Sequence, residues 1–115
     1  MIMMSQNMTP ISDERLVYES DLASAFGHPL RLRILRRLCC QSCCVNDLVE
    51  LADVDQPKVS RHLAVLRNLK IVACEVDGRR RCYSLLKPDL VREIIAALDA
   101  VPNDGQPQNS APLPG

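Results

Sequence analysis

Tryptophan is missing from this sequence, and only three aromatic side chains occur, Tyr18, Phe26 and Tyr83. Aliphatic residues must therefore build the core, and 115 residues suffice for one modest domain with tails. Long apolar runs are also missing. None approaches the ~20 residues that cross a bilayer, and the Met-rich start has neither the charged leader nor the extended apolar stretch of a signal peptide. A cytoplasmic setting without membrane is expected. In that compartment the six cysteines are expected as thiols, metal ligands or redox sites, not as a disulfide framework. Net charge is the last absence. The formal value is +0, which taken alone argues against a polyanionic partner.

The distribution of charge argues the other way. Between His28 and Cys82 there are eleven Lys and Arg against six Asp and Glu, a net of +5, and the remainder has three against eight, a net of −5. A basic middle with acidic ends suits a protein that turns one surface toward nucleic acid. The centre of that middle is DQPKVSRHLAVLRNLK, residues 55 to 70. Its spacing predicts a helix with Val59, Leu63, Leu66 and Leu69 on a core-facing stripe. Asp55 is a good N-cap, and Pro57 falls in the first turn, where a missing N–H costs nothing. The opposite side carries Pro57, Arg61, Ala64 and Asn68, with Lys58 and Val65 at its edge. Small residues permit close approach, and cations and amides are the groups that meet phosphates and base edges in a major groove. A DNA-recognition helix is the expectation.

The elements around it follow in order. Residues 1 to 11 have no period and are expected to form a flexible arm. SDERLVYESDLASAF starts on a Ser cap with acids in its first turn and sets Leu16, Leu22, Ala23 and Phe26 at helical spacing, interrupted by Glu19. Gly27 ends it. PLRLRILRRL then directs Leu30, Ile34, Leu35 and Leu38 to the core, its arginines lying as partly solvated stems over apolar surface. CCQSCC breaks the pattern, a short helix follows from Val45 to Ala52, and Asp53 to Asp55 form the tight connection of a helix-turn-helix. After Lys70 the period becomes two. Ile71 to Val76 and Arg79 to Leu86 are expected as strands about an Asp77-Gly78 turn, which pairs Val76 with Arg79, sets Cys74 opposite Arg81 and Cys82 opposite Ala73, and keeps the two thiols on different faces. In that arrangement Arg80 points to one face and Arg79 and Arg81 to the other, so that not all three reach DNA. Pro88 opens a closing helix to about Val101 whose apolar stripe is too wide for one domain's edge, which suggests pairing with a second copy. Residues 102 to 115 are rich in proline and polar residues and are expected to be disordered.

The predicted class is therefore α+β, mostly α: a dimeric winged helix-turn-helix of about five helices and a two-stranded wing over residues 12 to 101. HPLRLRILRRL, CCVNDLVELADVDQPKVSRHLAVLRNLKIV and DGRRRCYSL carry a likeness that covers most of positions 20 to 101. On them the chain resembles the ArsR/SmtB family of winged-helix repressors. The resemblance implies a homodimer, through the first and last helices, that holds a double-stranded DNA operator and releases it when an inducer binds. By position it carries DNA contact onto Gln56, Lys58, Ser60, Arg61 and the wing residues Arg79, Arg80 and Arg81; Arg67 and Asn68 join them as polar groups of the same helix. Arsenic and cadmium sensors of the family carry Cys-Val-Cys-Asp-Leu where this chain has Cys44, Val45, Asn46, Asp47 and Leu48, so the second ligand is lost. The family's sites on the closing helix need His or Cys, and residues 89 to 101 contain neither.

Cys39, Cys40, Cys43 and Cys44 remain as the candidate sensor. On a continuous helix 39/43 and 40/44 are i, i+4 neighbours, so several sulfurs could converge on one ion. No cofactor is required, but soft thiolates would favour arsenite, zinc, cadmium or copper(I). A thiol-redox sensor, a winged-helix protein-interaction module with structural zinc, and small hydrophobic packing of the thiols are the alternatives. His62, at the edge of the apolar stripe, reads as packing or a structural hydrogen bond, and His28 as a helix cap. An enzyme is not expected. No strand precedes the cysteine run, no thioredoxin-like βαβ unit is present, and no acid/base pair with its own cleft suggests itself.

Overall fold

Pro29 has no amide hydrogen to lose, and it opens the helix on which the rest of the molecule is assembled. The computed structural model describes residues 10–52 and 54–103. The elements run α1 (Asp13–Ser24), α2 (Pro29–Cys40), β1 (Cys43–Cys44), α3 (Val45–Ala52), α4 (Gln56–Asn68), β2 (Val72–Asp77), β3 (Arg80–Leu85) and α5 (Pro88–Asp99). This is the five-helix winged arrangement that the periodicity predicts. Apart from Pro10, Ile11, Pro102 and Asn103, the expected arm and tail lie outside the described residues, as does Asp53.

His28 caps α2, its Nδ1 accepting from the Leu30 amide at 3.1 Å. Leu30, Ile34, Leu35 and Leu38 of α2 are buried against Leu48 of α3, Val59, Leu63 and Leu66 of α4, and Val91 and Ile95 of α5. Each such side chain stabilises the fold by roughly 1.5–3 kcal/mol relative to exposure. Arg36 ties α2 to α5 through Asp99, with Nη2 at 2.8 Å from Oδ1. Arg31 is less solvated than a surface stem. It donates to the Ser24 carbonyl at 2.8 Å and lies 3.4 Å from His62 Nδ1, and the rings of His62 and His28 stack obliquely with centroids 4.3 Å apart. His62 is therefore a structural residue joining α4 to the start of α2.

Three features depart from the periodicity. α1 buries none of its own residues, and Leu16, Val17 and Tyr18 are exposed; Ala25, which caps it, is the buried one. Glu19 breaks the apolar stripe, so the helix is held mainly at its C-terminal end. Second, the sheet has three antiparallel strands in the order β1-β3-β2, because Cys43–Cys44 pairs with the outer edge of β3. Third, the hairpin register is Asp77 with Arg80, Val76 with Arg81, Glu75 with Cys82 and Cys74 with Tyr83, which corrects the expected partners of both thiols. The turn residues are Gly78 and Arg79, and only Gly78 has positive φ, +65°, matching a II′ turn with glycine at its first central position. The new register moves the partners by two residues and so leaves every side chain on its expected face. Cys74 and Cys82 still point apart.

Candidate nucleic-acid interface

The recognition helix α4 begins with the Asp55 side chain accepting from the Lys58 amide at 3.3 Å. It ends in a Schellman arrangement: Lys70 N–H donates to the Arg67 carbonyl at 3.0 Å and Ile71 N–H to that of Leu66 at 3.0 Å. These two ends fix its direction, and Val59, His62, Leu63 and Leu66 bury one side. Gln56, Ser60, Ala64, Arg67 and Asn68 are exposed on the side that turns toward the wing. With Arg79, Arg80, Arg81 and Tyr83 of the hairpin they wall a cleft of about 600 Å³, whose third wall is Cys44, Val45 and Asn46 at the start of α3.

All three wing arginines border this cleft, Arg80 from the strand face it shares with Cys82 and Arg81 from the face it shares with Tyr83. Arg79 belongs to the turn and is free of the alternation. Lys58 and Arg61 lie away from the cleft, Arg61 exposed and Lys58 half-buried on the flank of α4. Asn46 is a polar lining residue that periodicity did not single out, because only the fold brings the start of α3 beside the wing.

The cysteine run is not a continuous helix. α2 stops at Cys40, Gln41 is extended at φ −170° and ψ 162°, and Cys43 and Cys44 are strand residues with side chains on opposite faces. The i, i+4 convergence expected of Cys39, Cys40, Cys43 and Cys44 is thereby removed. Among the described residues no three Cys, His, Asp or Glu side chains gather as a metal site. Burial pushes the Cys39 and Cys43 thiols up from their ordinary value. Cys44 differs. Arg80 Nη2 lies 2.9 Å from its sulfur, and its thiol is held below the ordinary value by a hydrogen bond with Cys82 and by Arg80. Cys82 is raised, chiefly by the same hydrogen bond.

A helix-turn-helix whose exposed polar face opens on a basic hairpin is a reader of duplex DNA in outline, and known proteins bear this out. The family described as "Bacterial regulatory protein, arsR family" matches residues 28–73. The HTH-type transcriptional repressor SmtB of Mycobacterium tuberculosis is 34% identical over 97 residues, covering 84% of this chain and 70% of that protein. The chain belongs to the arsR family. Its backbone follows that of NolR from Sinorhizobium fredii with a TM-score of 0.69 and 30% identity, over 80% of this chain and 94% of the other. The cadmium metal-sensor CMTR of Mycobacterium tuberculosis matches with a TM-score of 0.59 and 30% identity, over 79% and 97%. As an arsR-family member the chain is a DNA-binding transcriptional regulator and not an enzyme, which agrees with a cleft lined by amides and guanidinium groups.

Proposed function

We propose that this regulator is a homodimeric repressor that holds a double-stranded operator through α4 and the wing and releases it when a thiol-directed inducer reacts near Cys44. The observation that carries the reading is the cleft, in which Gln56, Ser60, Arg67 and Asn68 face Arg79, Arg80 and Arg81 across a gap bordered by a thiol. Amides and the Ser hydroxyl supply groups for base edges, and the wing guanidinium groups supply phosphate neutralisation. Lys58 and Arg61, on the flank of α4, are assigned to the neighbouring backbone. The dimer is assigned to α1 and α5. Leu16, Val17 and Tyr18 on the first, and Leu98 with the following Val101 on the last, are apolar side chains left exposed by the single chain.

The inducer is assigned to thiol chemistry. Of the run Cys39, Cys40, Cys43 and Cys44, the last borders the cleft and the others lie on the segment leading into it. The CMTR structure is described as a cadmium sensor, but arsenite, zinc, cadmium or copper(I) would find no three ready ligands among the described residues here. The test is DNA affinity on the gene's own upstream sequence, titrated with each of those ions and with peroxide, for wild type and Cys44→Ser. Specific binding that weakens with one reagent in wild type alone is the expected result. Equal responses in both proteins would remove Cys44 from the sensor, and no specific binding at low salt would remove the repressor reading.

A further inference from the structure

β1 is only two residues long, yet it sets Cys44 directly opposite Cys82 on β3. Directly paired residues of an antiparallel ladder have Cα atoms about 4.5–5.5 Å apart, inside the roughly 4.4–6.8 Å range that a disulfide spans. Each thiol shifts the other, Cys44 lowered and Cys82 raised, as expected of side chains that share one face of the ladder. Arg80, two residues before Cys82, places Nη2 2.9 Å from the Cys44 sulfur. No other pairing across the sheet is as well set. Cys43 and Cys74 share the opposite face but flank Tyr83 on either side, two strand spacings or about 9.6 Å apart.

We propose that Cys44 and Cys82 form a cross-strand dithiol that hydrogen peroxide oxidises to a disulfide, with Arg80 activating Cys44 as the attacking sulfur. The inference rests on the thiol-directed reading above and names both its reagent and its second sulfur. Cys44 as thiolate attacks one peroxide oxygen. The O–O bond breaks, and the departing hydroxide takes up the proton Cys44 had released, giving water and a sulfenic acid on Cys44. The Cys82 sulfur then displaces that hydroxyl; the S–S bond forms, and a second water carries away the Cys82 proton. Two thiols lose two electrons, and one peroxide becomes two waters.

The product bears on the DNA cleft. It ties the strand entering α3 to the returning strand of the wing, and it replaces the ionisable thiol that Arg80 contacts in the reduced state by a neutral disulfide sulfur, a weaker acceptor. Arg80, Cys44 and the α4 side chains border one cleft, so the bond changes the surface that meets the operator.

The test maps disulfides by mass spectrometry in the full-length protein after peroxide, with fragmentation assigning each sulfur, and follows operator affinity alongside. Wild type and Cys74→Ser should yield a Cys44–Cys82 cross-link within one chain. Cys82→Ser should yield none, and should leave a Cys44 sulfenic acid that a dimedone-type reagent traps. Arg80→Gln should slow cross-linking several-fold. Operator affinity should change at least threefold on oxidation of wild type and not of Cys82→Ser. Circular dichroism under reducing conditions confirms that each variant is folded. A cross-link between other cysteines or between chains, or free Cys44 and Cys82 after peroxide, overturns the proposal. An equal affinity change in Cys82→Ser overturns its regulatory part. Mapping needs no DNA, so failure of this pair is distinct from failure of the operator reading, which appears as absent binding by the reduced protein.

Discussion

Lys70 is the one non-glycine residue with positive φ, 61°, among the described residues, and it stands at the C-terminal end of the recognition helix. A side chain in the left-handed region costs about 1–2 kcal/mol, here offset by the two hydrogen bonds that close the helix and by burial of Ile71 on Leu66. Lys87 adds a bond from Nζ to the Lys70 carbonyl at 2.6 Å, which does not depend on the Lys70 side chain. Lys70→Gly should therefore stabilise the protein by about 0.5–1 kcal/mol after the greater flexibility of unfolded glycine is subtracted. Chemical denaturation measures it, and a lower midpoint would refute the strain argument. At the other end of the helix Asp55→Ala should cost about 1 kcal/mol by leaving the Lys58 amide without its acceptor. Cys44 gives a pH prediction with a definite sign. Its thiol lies below the ordinary value because Cys82 and Arg80 stabilise the thiolate, so its alkylation rate should rise at lower pH than that of a free thiol. Arg80→Gln should move the profile to higher pH, and an unmoved profile would contradict the role given to the guanidinium.

Helix α4 concentrates the burial, and its inner face was legible from spacing alone: Val59, Leu63 and Leu66 are all fully buried. Leu63→Ala should cost roughly 2–5 kcal/mol, because apolar packing is removed and a cavity remains. In a domain whose whole stability is about 5–15 kcal/mol, thermal unfolding should show this as a large drop. The caps were equally legible, because Ser12, His28 and Asp55 each accept a first-turn amide as their side chains suggest. β1 was not. A strand of two cysteines has no period of its own and exists only because β3 offers a free edge. Wing register was missed for a different reason. Registers that differ by two residues put the same side chains on the same faces, so apolar alternation cannot choose between them. Turn chemistry chooses, and Gly78 takes the first central position in place of the second. The i, i+4 spacing expected of the four thiols was lost when the helix ended at Cys40, and the pairing of Cys44 with Cys82 became visible only through β1.

At the scale of the whole molecule, neutrality conceals a basic middle. α1 contributes Leu16, Val17 and Tyr18 to no core, and Leu98 and Val101 are exposed at the other end of the chain. Leu16→Glu combined with Leu98→Glu should leave the fold intact, since both side chains are already solvent-exposed, and should shift the protein to monomer in sedimentation. An unchanged dimer would place the interface elsewhere. The central claim is that α4 and the wing grip an operator, and the salt dependence of operator affinity tests it most directly. A dimer neutralising on the order of 6–10 phosphates should lose ~10³-fold or more in affinity between 50 and 200 mM salt. Replacing Arg79, Arg80 and Arg81 with Gln should flatten the slope by about one for each phosphate that is no longer neutralised. Affinity for the operator indifferent to salt, or a slope that the wing triple variant leaves unchanged, would contradict the account.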